Sequence, residues 1–277
     1  NYSNQTERQT ERDTATIVWE WHITDHLGEN TPYKFDPTLE PQGRGIDDKD
    51  WNHFNAIYLN ELDRIYLSSR NWDEFFVIEW GGDSDILYRW GNPENYGRGT
   101  VANHLLDAQH GVNETPYNYP NGGNIIIFNN GGQIGEPANI SYVLEIEPPI
   151  DSNGNYIIEE GEPFGPELPV WEYTDVTNGM YSARQSGVFV LPNGNVFIIP
   201  SGDSNNPDRM FEVDKNNNIV WDYTASDGVL RAHQYPADYI TNQGETVSPL
   251  PTTSPPSGGT PPQPSGETPP QPSGETP

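Results

Sequence analysis

Apolar and polar residues alternate along two short runs, 53–59 and 64–69, which flank the stretch Asn60-Glu61-Leu62-Asp63. A period of two is the signature of a strand with one face turned inward, so the segment reads as a β-hairpin. With the turn centred between Glu61 and Leu62, paired residue numbers sum to 123. His53 then faces Arg70, Asn55 faces Ser68 and Ile57 faces Tyr66, all on one side of the sheet. Two further hairpins are marked by Asn-Gly inside "PNGGNIIIFNNG" (120–131) and "LPNGNVFIIPSG" (191–202), where that dipeptide supplies the positive φ angles of a tight turn.

Four strands share an aromatic–charged–aromatic ending: "IVWEW" (17–21), "ILYRW" (86–90), "PVWEY" (169–173) and "NIVWDY" (218–223). A strand-rich unit recurring every ~50 residues or more is the mark of a propeller. The expected fold is therefore all-β, a β-propeller of four-stranded antiparallel blades. Three blades are near-complete, at about 51–91, 109–174 and 181–224. They are flanked by the last strand of a preceding blade at 14–24 and by one further strand at 229–240. The unequal intervals imply inserted loops, and a β-sandwich is the alternative arrangement. The domain reading is a polar segment at 1–13, a partial propeller ring at 14–241, and a Pro/Thr/Ser/Gly-rich tail at 242–277. "PPQPSGET" occurs twice in that tail, which reads as a disordered or extended linker or stalk.

Composition narrows the function. Aromatics make up 12% of the 277 residues, with eight Trp and fifteen Tyr, which argues against disorder throughout. Forty-one acidic residues against thirteen basic ones give a formal charge of −28, a surface that repels nucleic acid and anionic membranes. With no cysteine, disulfides, thiolate metal sites and cysteine nucleophiles are excluded together. No apolar run reaches the length of a membrane span. His22 and His26 have the spacing of a metal pair but lack a third ligand, so no metal site is expected.

"VWEWHITDHL", "DWNHFNAI", "LSSR", "LYRWGNP", "QH" followed by "GNIIIFNNG", and "SGVFVLPNGNVFIIPSG" occur in this order. In these motifs the chain resembles the arylsulfotransferase family, secreted or periplasmic β-propeller enzymes. The resemblance implies transfer of a sulfuryl group from an aryl sulfate donor to a phenolic acceptor through a sulfohistidine intermediate, with no cofactor. It also implies roles for individual residues: His110 as nucleophile, His53 as acid to the leaving phenolate, Arg70 as a catalytic clamp on the sulfate, and Asn55 as a second substrate-binding group. These residue types suit the chemistry. A guanidinium can hold two oxygens of the group in flight, and a neutral imidazole can attack sulfur. At two positions the chain departs from the family pattern: Gly111 follows His110 where an acidic residue is typical, and Arg184 of "YSARQSG" replaces a histidine.

Four N-x-S/T sequons, at Asn1, Asn4, Asn113 and Asn139, mark candidate glycosylation sites and point to a secreted or cell-surface protein, extracellular or periplasmic. The alternative function is a non-catalytic propeller module of a cell-surface or extracellular filament assembly. Under either reading, a partner chain or self-assembly would complete the ring or engage the tail.

Overall fold

A computed structural model of the chain describes residues 16–29, 31–39, 50–82, 85–131, 139–177, 180–201, 209–225 and 228–235. The expected segments 1–13 and 242–277, with Asn1 and Asn4, lie outside the described residues. The chain divides into two units, 1–234 and 235–277, and the account below concerns the first.

Twelve strands among the described residues form three four-stranded antiparallel sheets, each running in chain order from one edge to the other. The first comprises β1 (Phe54–Leu59), β2 (Arg64–Ser69), β3 (Glu74–Glu79) and β4 (Tyr88–Trp90). The second holds β5 (His110–Glu114), β6 (Ile125–Asn129), β7 (Tyr142–Ile146) and β8 (Trp171–Tyr173). The third holds β9 (Gly187–Val190), β10 (Val196–Ile199), β11 (Arg209–Val213) and β12 (Ile219–Thr224). There is no α-helix among the described residues, and hence none long and apolar enough to cross a membrane.

Turn chemistry sets the strand ends. At the first hairpin the Asn60 side-chain oxygen accepts from the backbone N–H groups of Leu62 and Arg64, each at 2.9 Å, while Asp63 takes a positive φ of 56°. Asp214 does the same between β11 and β12, accepting from the N–H groups of Asn216 and Asn218. Both are Asx-turns, in which a short side chain imitates the backbone.

The run "IIIF" in β6 shows why the middle sheet is apolar on both sides. Ile125 and Ile127 pack with Leu144 and Ile146 against Phe75, Val77 and Trp90 of the first sheet. Ile126 and Phe128 pack with Val143 against Val188, Ile198 and Phe211 of the third. A strand covered on both faces has no polar alternation, and each such side chain contributes about 1.5–3 kcal/mol on burial.

The two outlying segments differ from expectation. Among the described residues of 14–24 and 229–240 no strand forms. "IVWEW" instead lays Trp19 and Trp21 against Ile65, Leu67 and Ile78 on the outward face of the first sheet. Val229 and Ala232 cover Leu191, Phe197 and Ile199 on the outward face of the third.

Candidate functional site

The edge strands β1, β5 and β9 run beside one another, so the first strand of each sheet meets the first strand of the next. This brings the 50–70 hairpin up to the start of β5. The Arg70 N–H donates to the His53 carbonyl at 3.2 Å, and Phe54 pairs with Ser69, as a pairing sum of 123 requires.

Beyond that point the register differs from the expected one. Ala56 pairs with Ser68, Ile57 with Leu67 and Tyr58 with Tyr66, a sum of 124. A β-bulge between Phe54 and Ala56 absorbs the difference, leaving Asn55 as the extra residue, so Asn55 does not face Ser68 and Ile57 does not face Tyr66. Bulges re-aim side chains, and this one sends the Asn55 amide across to the second sheet, where it donates to the Gln109 carbonyl at 2.7 Å. The Asn55 side-chain oxygen is buried and has no partner among the described residues.

His53 stands at the mouth of the arrangement with 42% of its side chain exposed and a left-handed backbone at φ 47°. Its Nδ1 lies 2.5 Å from an Asp50 carboxylate oxygen. The bond from His53 holds the Asp50 carboxyl below its ordinary range. Asp50 is fixed in turn through its carbonyl, which accepts from the Asn71 amide at 2.6 Å. The Ser69 hydroxyl pins the same segment by donating to the Asn52 carbonyl at 2.6 Å.

His110 opens β5 and is only 8% exposed. Its Nδ1 lies 2.9 Å from the Ala108 carbonyl and 2.7 Å from the Asn130 side-chain oxygen. Burial pushes its pKa below the usual imidazole value. The bonds to Asn130 and Ala108 pull it back up, while Arg70 and His53 push it further down. A backbone bond joins Arg70 to His53, and the Asn55 bond to the Gln109 carbonyl sets that hairpin against the residue before His110. The approach to His110 is braced by Gln109, whose side-chain amide donates to the Ser69 and Glu74 carbonyls at 3.1 and 2.7 Å. Ala108, at φ 57°, donates its N–H to the Asp73 carboxylate at 2.7 Å. Left-handed backbone at non-glycine residues costs on the order of 1–3 kcal/mol each and gathers where surrounding structure fixes a site. His53, Ala108, Gln185 and Ser186 all adopt it here.

Asp50, Gln109 and Asn130 lie within "DWNHFNAI", "QH" and "GNIIIFNNG", but the sequence assigned them no role. Asp50 had a signal, since it stands three residues before His53 in "DWNH". Asn130 stands in "GNIIIFNNG", where Asn-Asn-Gly after a strand reads as a turn. Arg184 has an exposed side chain, and its carbonyl accepts from the Ser182 hydroxyl at 2.8 Å. His26 is buried under Trp21, with their rings 4.6 Å apart, and its Nδ1 lies 2.9 Å from Asp85, while His22 lies beside Glu20. Of the described sequons, Asn139 is exposed. Asn113 is buried, and its amide donates to the Gly111 and Val188 carbonyls at 2.8 Å each, which leaves no room for a glycan in the folded sheet.

No curated protein matched the chain. Residues 9–145, which contain Asp50, His53, Asn55, Arg70, His110 and Asn130, match the family model described as Arylsulfotransferase (ASST), so over that stretch, just under half its length, the chain is similar to the arylsulfotransferase family.

Proposed function

We propose that the three sheets are successive blades of a β-propeller and that the site between the first two transfers a sulfuryl group from an aryl sulfate ester to a phenol. The observation that carries this reading is the placement of His110, 8% exposed with its Nδ1 2.7 Å from the Asn130 side-chain oxygen, directly after the Gln109 carbonyl that Asn55 reaches from the first sheet. Burial lowers the pKa of this histidine, so it is neutral at neutral pH, as a nucleophile must be, and the Arg70 guanidinium would favour an anion there.

The His110 imidazole attacks sulfur, forming an N–S bond as the S–O bond to the aryl group breaks. His53, oriented by Asp50, gives a proton to the departing phenolate. In the second half the acceptor phenol loses its proton to His53, its oxygen attacks sulfur, and the N–S bond breaks to restore neutral His110. Arg70 holds the equatorial sulfuryl oxygens, on which negative charge is spread in both transition states. Asn55 keeps one amide hydrogen beyond its bond to Gln109 and supplies a further contact to the sulfate. Export to the cell surface or beyond belongs to the same proposal, with Asn139 as its exposed sequon. So does completion of the ring by a partner chain or by self-assembly, which would cover apolar side chains such as Ile57, 73% exposed on β1.

Turnover of 4-nitrophenyl sulfate with a phenolic acceptor tests the reading. His110→Ala is expected to abolish transfer, and Arg70→Lys to lower kcat/KM by about 100-fold, because an ammonium cannot reproduce the planar fork. Equal turnover in His110→Ala and the parent protein would remove the nucleophile. Absence of turnover in the parent protein would favour the non-catalytic module.

A further inference from the structure

The position after His110 would hold the acidic side chain typical of the family only under strain. Gly111 has φ +63°, and a Cβ there would lie 3.2 Å from the Gly187 Cα on β9. Orientation of the histidine must come from elsewhere.

Both neighbours of His110 Nδ1 are acceptors. One is the Ala108 carbonyl. The other is the Asn130 side-chain oxygen, and the far end of that amide settles which way it points. Asn130 Nδ2 lies 2.9 Å from the Ser182 carbonyl and 3.2 Å from the Gln185 carbonyl, and neither can donate. Nδ2 therefore faces the carbonyls and Oδ1 faces the imidazole. Nδ1 must then carry the ring proton, which leaves the lone pair on Nε2.

We propose that Asn130 is a positioning residue for His110, fixing its tautomer and ring angle so that Nε2 is the attacking nitrogen. The inference rests on the reading of His110 as nucleophile. The support for Asn130 is itself built in. Its carbonyl accepts from the Ser141 hydroxyl at 2.8 Å, and the same hydroxyl oxygen accepts from the Ser182 N–H at 2.9 Å. The Ser182–Ser186 turn takes consecutive positive φ angles, 58° at Gln185 and 85° at Ser186, and the Ser186 hydroxyl bonds to that of Ser182 at 2.8 Å. Such a backbone presents two carbonyls inward to one amide. A neutral amide also differs from a carboxylate in its effect: it fixes the imidazole while favouring its charged form less than a full negative charge would.

The test is the tautomer of neutral His110, read from long-range ¹⁵N–¹H correlations of histidine-labelled protein and assigned by the signal missing in His110→Ala. The expected spectrum shows a protonated Nδ1 and a bare Nε2. In Asn130→Ala an Nε2-protonated population should appear, and kcat should fall by about 10- to 100-fold with KM little changed. Asn130→Asp keeps the acceptor facing Nδ1 but loses the donors to Ser182 and Gln185, so it should retain the parent tautomer. A residue that merely stapled the 182–186 turn would fail equally in both variants. A bare Nδ1 in the parent protein, or unchanged tautomer and kcat in Asn130→Ala, would overturn the proposal. The expected tautomer without any sulfuryl transfer would support the positioning role and sink the sulfotransferase reading alone.

Discussion

Strand β5 faces the first sheet across one seam and the third sheet across another. On the first side stand ionisable groups: His53, half exposed and paired with Asp50, and Arg70 at the end of β2. On the second stand amides and hydroxyls, Asn113, Asn130, Ser141, Ser182 and Ser186, all buried and hydrogen-bonded to one another or to backbone. His110 lies between them, taking its charge environment from the first seam and its orientation from the second. The contrast has a physical reason. Groups that exchange protons with a substrate need access to it, whereas groups that only aim a side chain work best where water cannot compete for their bonds.

The second seam is the one to break first. Gly111→Ala adds a methyl group at a positive φ and pushes it against the Gly187 backbone, so it should cost about 1–3 kcal/mol. A thermal melt should register this as about 2–4 °C per kcal/mol for a domain of this size. An unchanged melting temperature would mean that the seam gives way easily, which would undercut it as a rigid support.

The first seam is sharpened by a smaller effect. Arg70→Gln removes a positive charge that holds His110 down, so the imidazole pKa should rise when followed by NMR titration. In the parent protein His110 should remain neutral below the ordinary imidazole value of about 6.5, and the acid limb of the rate profile should lie below it too. For the same reason, protonating His110 is harder in the folded state than in the unfolded chain. Its contribution to stability is complete above the unfolded value and falls as the pH drops through it. A titration unaffected by Arg70→Gln would place Arg70 outside the site.

The sequence revealed the first seam more fully than the second, for reasons visible in single residues. Period-two alternation placed His53 opposite Arg70, because strand pairing is a local consequence of one turn. The bulge at Asn55 was hidden, since an extra residue leaves the apolar pattern on either side intact and only the partner strand exposes the slip. The hairpin turns could be read from Asn and Gly, and the three sheets followed from recurring strand endings. "IVWEW" carries the same ending yet forms no strand, because pattern specifies which faces are apolar and not whether a neighbour is present to pair. Asn130 stands in "GNIIIFNNG", but its role was beyond reach. Its meaning depends on two carbonyls more than fifty residues away, held by a turn whose positive φ angles fall on Gln185 and Ser186 rather than on glycine.

The central claim is that His110 carries the sulfuryl group between donor and acceptor. Protein mixed with an aryl sulfate in the absence of any acceptor phenol, quenched at alkaline pH and analysed by peptide mass spectrometry, tests it directly. The account predicts a gain of one SO₃ group on the peptide bearing His110, absent in His110→Ala and discharged when a phenol is added before quenching. Turnover with no such adduct on His110, or with the adduct on another residue, would contradict it.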